Sequence, residues 1–167
     1  MKKISLLLFA LFVINTGFSQ TVSSEKPVAS NEFKHALGGA AGFTTGYGLS
    51  YRYDFGKYML QATFAPYKAD RKTRISAGLA FMFRLVDDKK TSLFLYQANH
   101  YMYYKYRTYS YNGPSETKLE EYVNSGIGIG YEIRWDRVSV NFMTGYAAYR
   151  NFSNFNMTGE FAIFYRF

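Results

Sequence analysis

A chain of 167 residues with no cysteine is one domain by length, and it holds neither a disulfide nor a lipid-modified cysteine anchor. Its formal net charge of +8 argues for anionic partners such as lipid phosphates, polysaccharide or nucleic acid, without choosing among them. The 17 Tyr, 16 Phe and one Trp, set against only 3 Pro, are more aromatic side chains than a water-soluble domain of this size needs.

Residues 1–20 read as a secretory signal peptide: Lys2 and Lys3, an unbroken apolar run over 6–14, then a small polar exit through Ser19 and Gln20. That run is too short to cross a bilayer as a helix. Cleavage is expected near Gln20, and the Ser-Gln ending resembles signals common in the Bacteroidota. Removal takes Lys2, Lys3 and no acid, so the exported chain keeps a balance of +6. Residues 21–32 are polar, contain Pro27 and follow neither helical nor strand period, which predicts a flexible periplasmic lead. The folded domain is expected over 33–167.

From Phe33 onward the pattern breaks into eight segments of alternating character, and no later apolar run approaches the ~20 residues of a spanning helix. The first, 34–42, is rich in Gly and Ala, and its faces are ambiguous. A hairpin over 43–46 leads to the second, 47–55, where Tyr47, Leu49, Tyr51, Tyr53 and Phe55 alternate with Gly48, Ser50, Arg52 and Asp54. After a tight turn at Gly56 and Lys57, the third sets Tyr58, Leu60, Ala62 and Phe64 against Met59, Gln61 and Thr63, and Pro66 is expected to end it. In the fourth, Ile75, Ala77, Leu79, Phe81, Phe83 and Leu85 oppose Ser76, Gly78, Ala80, Met82 and Arg84. The fifth, 91–106, is partly apolar on both faces; Phe94, Tyr96, Ala98, Met102 and Tyr104 are assigned outward. Residues 107–120 are expected to form the longest loop.

In the sixth segment Val123, Ile127, Ile129, Tyr131, Ile133 and Trp135 oppose Gly126, Gly128, Gly130, Glu132 and Arg134, and in the seventh Val138, Val140, Phe142 and Tyr146 oppose Ser139, Asn141, Met143 and Gly145. The last, 155–167, carries Phe161, Ile163, Tyr165 and Phe167 on one face and runs its apolar stripe to the final residue, where chain ends normally fray into water. This pattern resembles the C-terminal sorting strand of bacterial outer-membrane β-barrels, with Ala162 where that class usually shows Gly. The resemblance implies recognition by the barrel-insertion machinery. Aromatics grouped at strand ends, Phe55, Tyr58, Trp135, Tyr165 and Phe167 at one and Tyr47, Phe64, Tyr104, Tyr122, Tyr146 and Phe155 at the other, fit two interfacial belts.

Polarity decides between a membrane barrel and a soluble one. Small and charged residues share a face, and eight strands leave an interior only wide enough for side chains, so that face must be compact or self-neutralising. A lone arginine facing lipid at mid-depth would cost about 2–4 kcal/mol. Arg52, Asp54, Arg84, Glu132, Arg134, Glu160 and Arg166 are therefore assigned to a charge ladder plugging the lumen, with the bulky apolar rows outward. The fold expected is all-β, an eight-stranded antiparallel up-and-down transmembrane β-barrel in the outer membrane.

An active site is not favoured. His35 and His100 lack the His-x-Ser spacing that lipid A deacylases of this architecture resemble, residues 21–32 lack the apolar face of a palmitoyl-transferase helix, and two scattered histidines make no metal site. The three lumen acids read as structural partners of arginine rather than as an acid–base pair. No cofactor is expected. Lys68, Arg71, Lys72, Arg74, Lys105 and Arg107 are basic loop positions suited to lipopolysaccharide phosphates or an acidic ligand. The function expected is a non-enzymatic envelope protein contacting lipopolysaccharide, surfaces or a membrane protein partner, not nucleic acid. A narrow ion or solute pore and a subunit of a larger envelope complex are the alternatives, with a lipid A-modifying enzyme ranked below both.

Overall fold

The computed structural model describes residues 33–70, 72–110 and 113–167; residues 1–32, over which a signal peptide and a polar lead are expected, and Arg71 lie outside the described residues. Eight strands follow in order: β1 His35–Gly42, β2 Gly46–Asp54, β3 Tyr58–Ala69, β4 Lys72–Asp87, β5 Thr91–Ser110, β6 Gly113–Trp135, β7 Val138–Tyr149 and β8 Asn154–Arg166. Each pairs antiparallel with its neighbours in sequence, and β1 pairs with β8, which closes the barrel. At the seam Ala36 faces Arg166 and Gly42 faces Glu160, and His35 and Phe167 exchange both backbone hydrogen bonds at 3.1 and 2.8 Å. Closure removes every full-length edge, as an all-β chain requires.

The faces follow the period of two. Leu49, Leu60, Leu79, Phe81, Ile127, Ile129, Phe142, Phe161 and Ile163 are exposed on the outside, while Ser50, Arg52, Gln61, Arg84, Glu132, Asn141 and Glu160 are buried inside. This is the reverse of a water-soluble barrel, and the outer surface matches hydrocarbon.

The fifth strand differs from expectation. Phe94, Tyr96, Ala98 and Met102 all point into the barrel and are 4% exposed or less. The reason lies across the ladder, where Phe94, Tyr96 and Ala98 stand opposite Gly130, Gly128 and Gly126 of β6. A Cβ on Gly130 would lie 2.3 Å from the Phe94 ring, and one on Gly128 would lie 2.8 Å from the Tyr96 ring. The glycine row of β6 is thus the space that the rings of β5 occupy. With Met59, Ala80, Met82 and Met143 these residues form one apolar cluster across the lumen.

Strand lengths differ too. Pro66 does not end β3: it pairs with Ile75 of β4, beyond Leu49 and Phe64, the last partners of β2 and β3, so no β2 backbone faces it. The expected 107–120 loop is instead the continuation of β5 and β6 as a projecting hairpin, with Arg107 opposite Thr117. Tyr47, Tyr104 and Tyr122 leave the proposed belt: the Tyr47 hydroxyl reaches Met102 Sδ at 3.4 Å, and Tyr104 and Tyr122 line the inner face of the mouth. Phe64, Tyr146 and Phe155 face outward at that end, and Phe55, Tyr58, Trp135, Tyr165 and Phe167 at the other.

The seam gives a paired test. A Cβ on Gly38 would fall 1.9 Å from the Ile163 carbonyl oxygen, which is backbone and cannot swing aside, whereas one on Gly159 meets nothing within 4 Å. Gly38→Ala is expected to cost about 1–3 kcal/mol or to block closure, lowering the heat-modifiable folded band on a denaturing gel; Gly159→Ala should leave that band unchanged.

Candidate functional site

The lumen is filled in layers, and the inner face of β6 gives their order. At the end where β1 begins and β8 stops, here the terminus end, Arg52 Nη2 donates to Glu132 Oε1 at 2.6 Å and to Ser139 Oγ at 3.0 Å. Arg84 grips both oxygens of Asp54, at 2.8 and 2.5 Å, and stands 3.8 Å from Asp87 and 3.9 Å from Glu132. Arg134 bonds Asp87 and lies 4.0 Å from Glu132. Three arginines therefore face three acids; the short pairs Arg52–Glu132, Arg84–Asp54 and Arg134–Asp87 cross strands, and the longer contacts Arg84–Asp87 and Arg134–Glu132 run along β4 and β6.

Asp87 was not among the ladder residues read from the sequence. A bulge between Arg84 and Val86 shifts the register, so that Asp87, opposite buried Ser92, turns inward. Strict alternation from Arg84 would have sent it out.

The arginines also hold the three short turns. Arg84 donates to the Gly56 carbonyl at 2.5 Å, Arg134 to the carbonyls of Asp88 at 2.5 Å and Thr91 at 2.7 Å, and Arg166 to that of Asp136. Arg166 sits at the rim, its guanidinium 5.5 Å from the Phe33 ring, outside the three-against-three cluster. The cavity left at this end is about 10 Å³, room for roughly one water.

Beyond the apolar cluster, the turn joining β1 to β2 folds into the lumen. Thr44 and Thr45 are 0% and 1% exposed. Both seat on Glu160: the amides of Thr44 and Thr45 each donate at 3.0 Å, Thr44 Oγ1 at 2.6 Å, Thr158 Oγ1 at 2.9 Å, and Thr45 Oγ1 as well. Glu160 therefore differs from its expected place in the ladder; hydroxyls and amides, not an arginine, satisfy it. Above it, the Phe43 carbonyl accepts from His100 Nδ1 and Asn124 Nδ2, each at 3.0 Å. Glycines clear the seat: a Cβ on Gly78 would lie 1.9 Å from the Thr45 carbonyl oxygen, and one on Gly126 would lie 2.8 Å from Thr44 Cγ2.

His100 is thus a lumen residue, 2.9 Å from Ser76 Oγ through Nε2. A serine–histidine pair invites a nucleophilic reading. Here Ser76 is 0% and His100 2% exposed, the second ring nitrogen is held by a peptide carbonyl, and the seated turn covers both. The pair anchors the turn. His35, by contrast, lies outside, 2.6 Å from the Tyr51 hydroxyl and stacked on Phe167. Among the described residues no cluster of three acids or histidines forms a metal site.

The basic positions divide between two faces of the projecting wall. Cross-strand rows place Lys68, Thr73 and Lys105 together on the outside, with Arg107 two residues further along β5. Lys72 and Arg74 share the inner row with Tyr106 and Tyr104, and the Arg74 guanidinium lies 4.8 Å from the Tyr47 ring. Two hollows open above the seated turn, of about 310 Å³ beside Arg74, Tyr104 and Glu120 and about 620 Å³ beside Phe43, Asn124 and Arg150; Tyr122 lines both. Replacing Glu132 by Gln would leave three arginines against two acids with almost no change of shape. Glu132→Gln is expected to destabilise the barrel by about 3–5 kcal/mol, read as an earlier midpoint of urea unfolding in detergent or lipid.

No protein-family model and no curated protein matches the chain. Among solved structures, the N-terminal β-barrel domain of Pseudomonas aeruginosa OprF aligns with a TM-score of 0.51 and 11% identity, covering 80% of this chain and 95% of that one. Neisserial surface protein A aligns at 0.48 with 12% identity over 80% and 93%. Ail of Yersinia pestis, solved in complex with the heparin analogue sucrose octasulfate, aligns at 0.39 with 17% identity over 80% and 94%. At these identities the likeness is one of fold, an eight-stranded antiparallel barrel.

Proposed function

We propose that this chain is an outer-membrane barrel that does not conduct and that serves as a rigid mount for its far-end mouth. The observation that carries the reading is the joint arrangement of an apolar exterior and an interior filled from the arginine–acid cluster, through the apolar cluster, to the turn seated on Glu160. An exterior of that kind finds its match in hydrocarbon, and the short turns at the terminus end against the projecting hairpins opposite support a periplasmic terminus end. The outward row of Phe161, Ile163, Tyr165 and Phe167 is the surface that the insertion machinery would read.

Lys68, Lys105 and Arg107 stand on the outer wall above the apolar rows, where lipopolysaccharide phosphates would lie beside them. They are the residues we assign to lipid contact. An enzymatic role finds no support in the sealed Ser76–His100 pair.

Two measurements test this reading. Purified protein in planar bilayers should give no stable conductance; steps that change on substitution of Arg84 or Glu132 would instead establish a pore. The combined Lys68→Gln, Lys105→Gln, Arg107→Gln variant should retain less lipopolysaccharide on purification than the parent, and the difference should shrink as salt screens the contacts. Equal retention at low salt would remove these residues from the lipid contact.

A further inference from the structure

The barrel wall is not level at its far end. β1 pairs with β8 only as far as Gly42 and Glu160, yet β8 continues to Asn154 against β7. On the other side β2 leaves β3 at Leu49 and Phe64, yet β3 continues to Ala69 against β4. Among the described residues nothing fills the wall between these two extensions, because the turn that would stand there is folded inward as the floor. The result is a notch one hairpin wide.

Both edges of the notch are closed to an added strand. Pro66 brings no amide to the β3 edge. On β8, the Met157 amide is bonded by Asn156 Oδ1 at 2.8 Å and its carbonyl by the Tyr149 hydroxyl at 3.1 Å. A partner that extends the sheet would find these groups taken. The notch is therefore an opening rather than a pairing site.

The larger hollow, of about 620 Å³, lies at this notch, and its size falls in the range of roughly 300–1,000 Å³ found for small-molecule sites. Its lining divides by chemistry. At the notch stand Phe43, Phe155 and Met157, exposed by 64%, 75% and 65%, of which Phe155 and Met157 continue the outer apolar row of β8. The rest of the lining is polar: buried Asn124, exposed Asn154 and Asn156, and one charge, the exposed Arg150, beside Tyr122 and Tyr149, with no acid. Arg150 has no carboxylate partner among the described residues; its amide is fixed by Asn124 Oδ1 at 3.0 Å, and its guanidinium lies 5.9 Å from the Tyr122 ring.

We infer that this hollow binds a single-chain amphiphile with one carboxylate head, a long-chain fatty acid, which enters sideways through the notch. The carboxylate takes Arg150 and the asparagine amides, and the chain leaves across Phe43, Phe155 and Met157 into the surrounding lipid. A head group alone would not need the apolar sill, and a chain alone would not need the unpaired cation. The inference rests on the membrane placement proposed above.

The test uses the full mature barrel refolded in a neutral maltoside detergent, with palmitate as the probe and native mass spectrometry as the readout. One palmitate per barrel is expected. Arg150→Gln should weaken binding about tenfold, the loss of one charge-assisted hydrogen bond, Arg150→Lys should retain most of it, and Lys89→Gln, in the exposed turn between β4 and β5 at the opposite end of the barrel, should leave palmitate binding unchanged. Met157→Ser, which leaves the charge in place, should weaken palmitate, and butyrate should not bind. Equal palmitate binding by the parent and Arg150→Gln overturns the site, as does a two-chain phospholipid that palmitate does not displace. A heat-modifiable barrel that binds no palmitate also overturns it while leaving the membrane placement standing; a chain that fractionates with soluble proteins overturns both.

Discussion

An eight-stranded ring has no interior volume to spare, and most of this molecule follows from that limit. Whatever enters must be matched by something removed on the facing strand. Phe94 faces Gly130, Tyr96 faces Gly128, and the Thr44–Thr45 turn lies over Gly78 and Gly126. The glycines are not there for backbone freedom; they are the absent half of a packing pair. Substituting one changes the shape of a filled space rather than of an empty one.

The same limit governs the charges. Three arginines and three acids packed this tightly would be costly if any were left alone, since a buried ion without its partner is far more expensive than the pair. Arg84 and Arg134 use surplus donors of a guanidinium, which has five, to hold turn carbonyls as well as carboxylates. Charge balance and turn geometry at the terminus end are therefore one problem with one solution. Glu160 shows the alternative at the other end, where a carboxylate receives five neutral donors and needs no cation.

Strand number, order and the facing of β3, β4, β6, β7, β8 and of β2 from Leu49 onward were legible because period-two alternation of large apolar and small polar residues is unambiguous there; Tyr47 was not, because it turns inward to Met102. β5 was not, since it is apolar on both sides and alternation carries no sign; the glycine row of β6 held the missing information, but only once the two strands were known to be neighbours. Asp87 escaped because a single extra residue at the bulge reverses every later facing. The projecting hairpin was misread as a loop because its polar sequence outside the apolar rows looks like one. The inward turn was the hardest to read: Gly42, Phe43, Thr44, Thr45 and Gly46 suit an ordinary hairpin, and nothing local says that the partner is a glutamate more than a hundred residues later.

That separation orders the assembly of the molecule. The loop belongs to the first hairpin and its seat to the last strand, so the two meet only when β1 and β8 come together. Until then Thr44 and Thr45 have no carboxylate to grip, and a ring lacking its final stave is necessarily unstoppered. Corking the bottle and completing its glass are, for this chain, a single event.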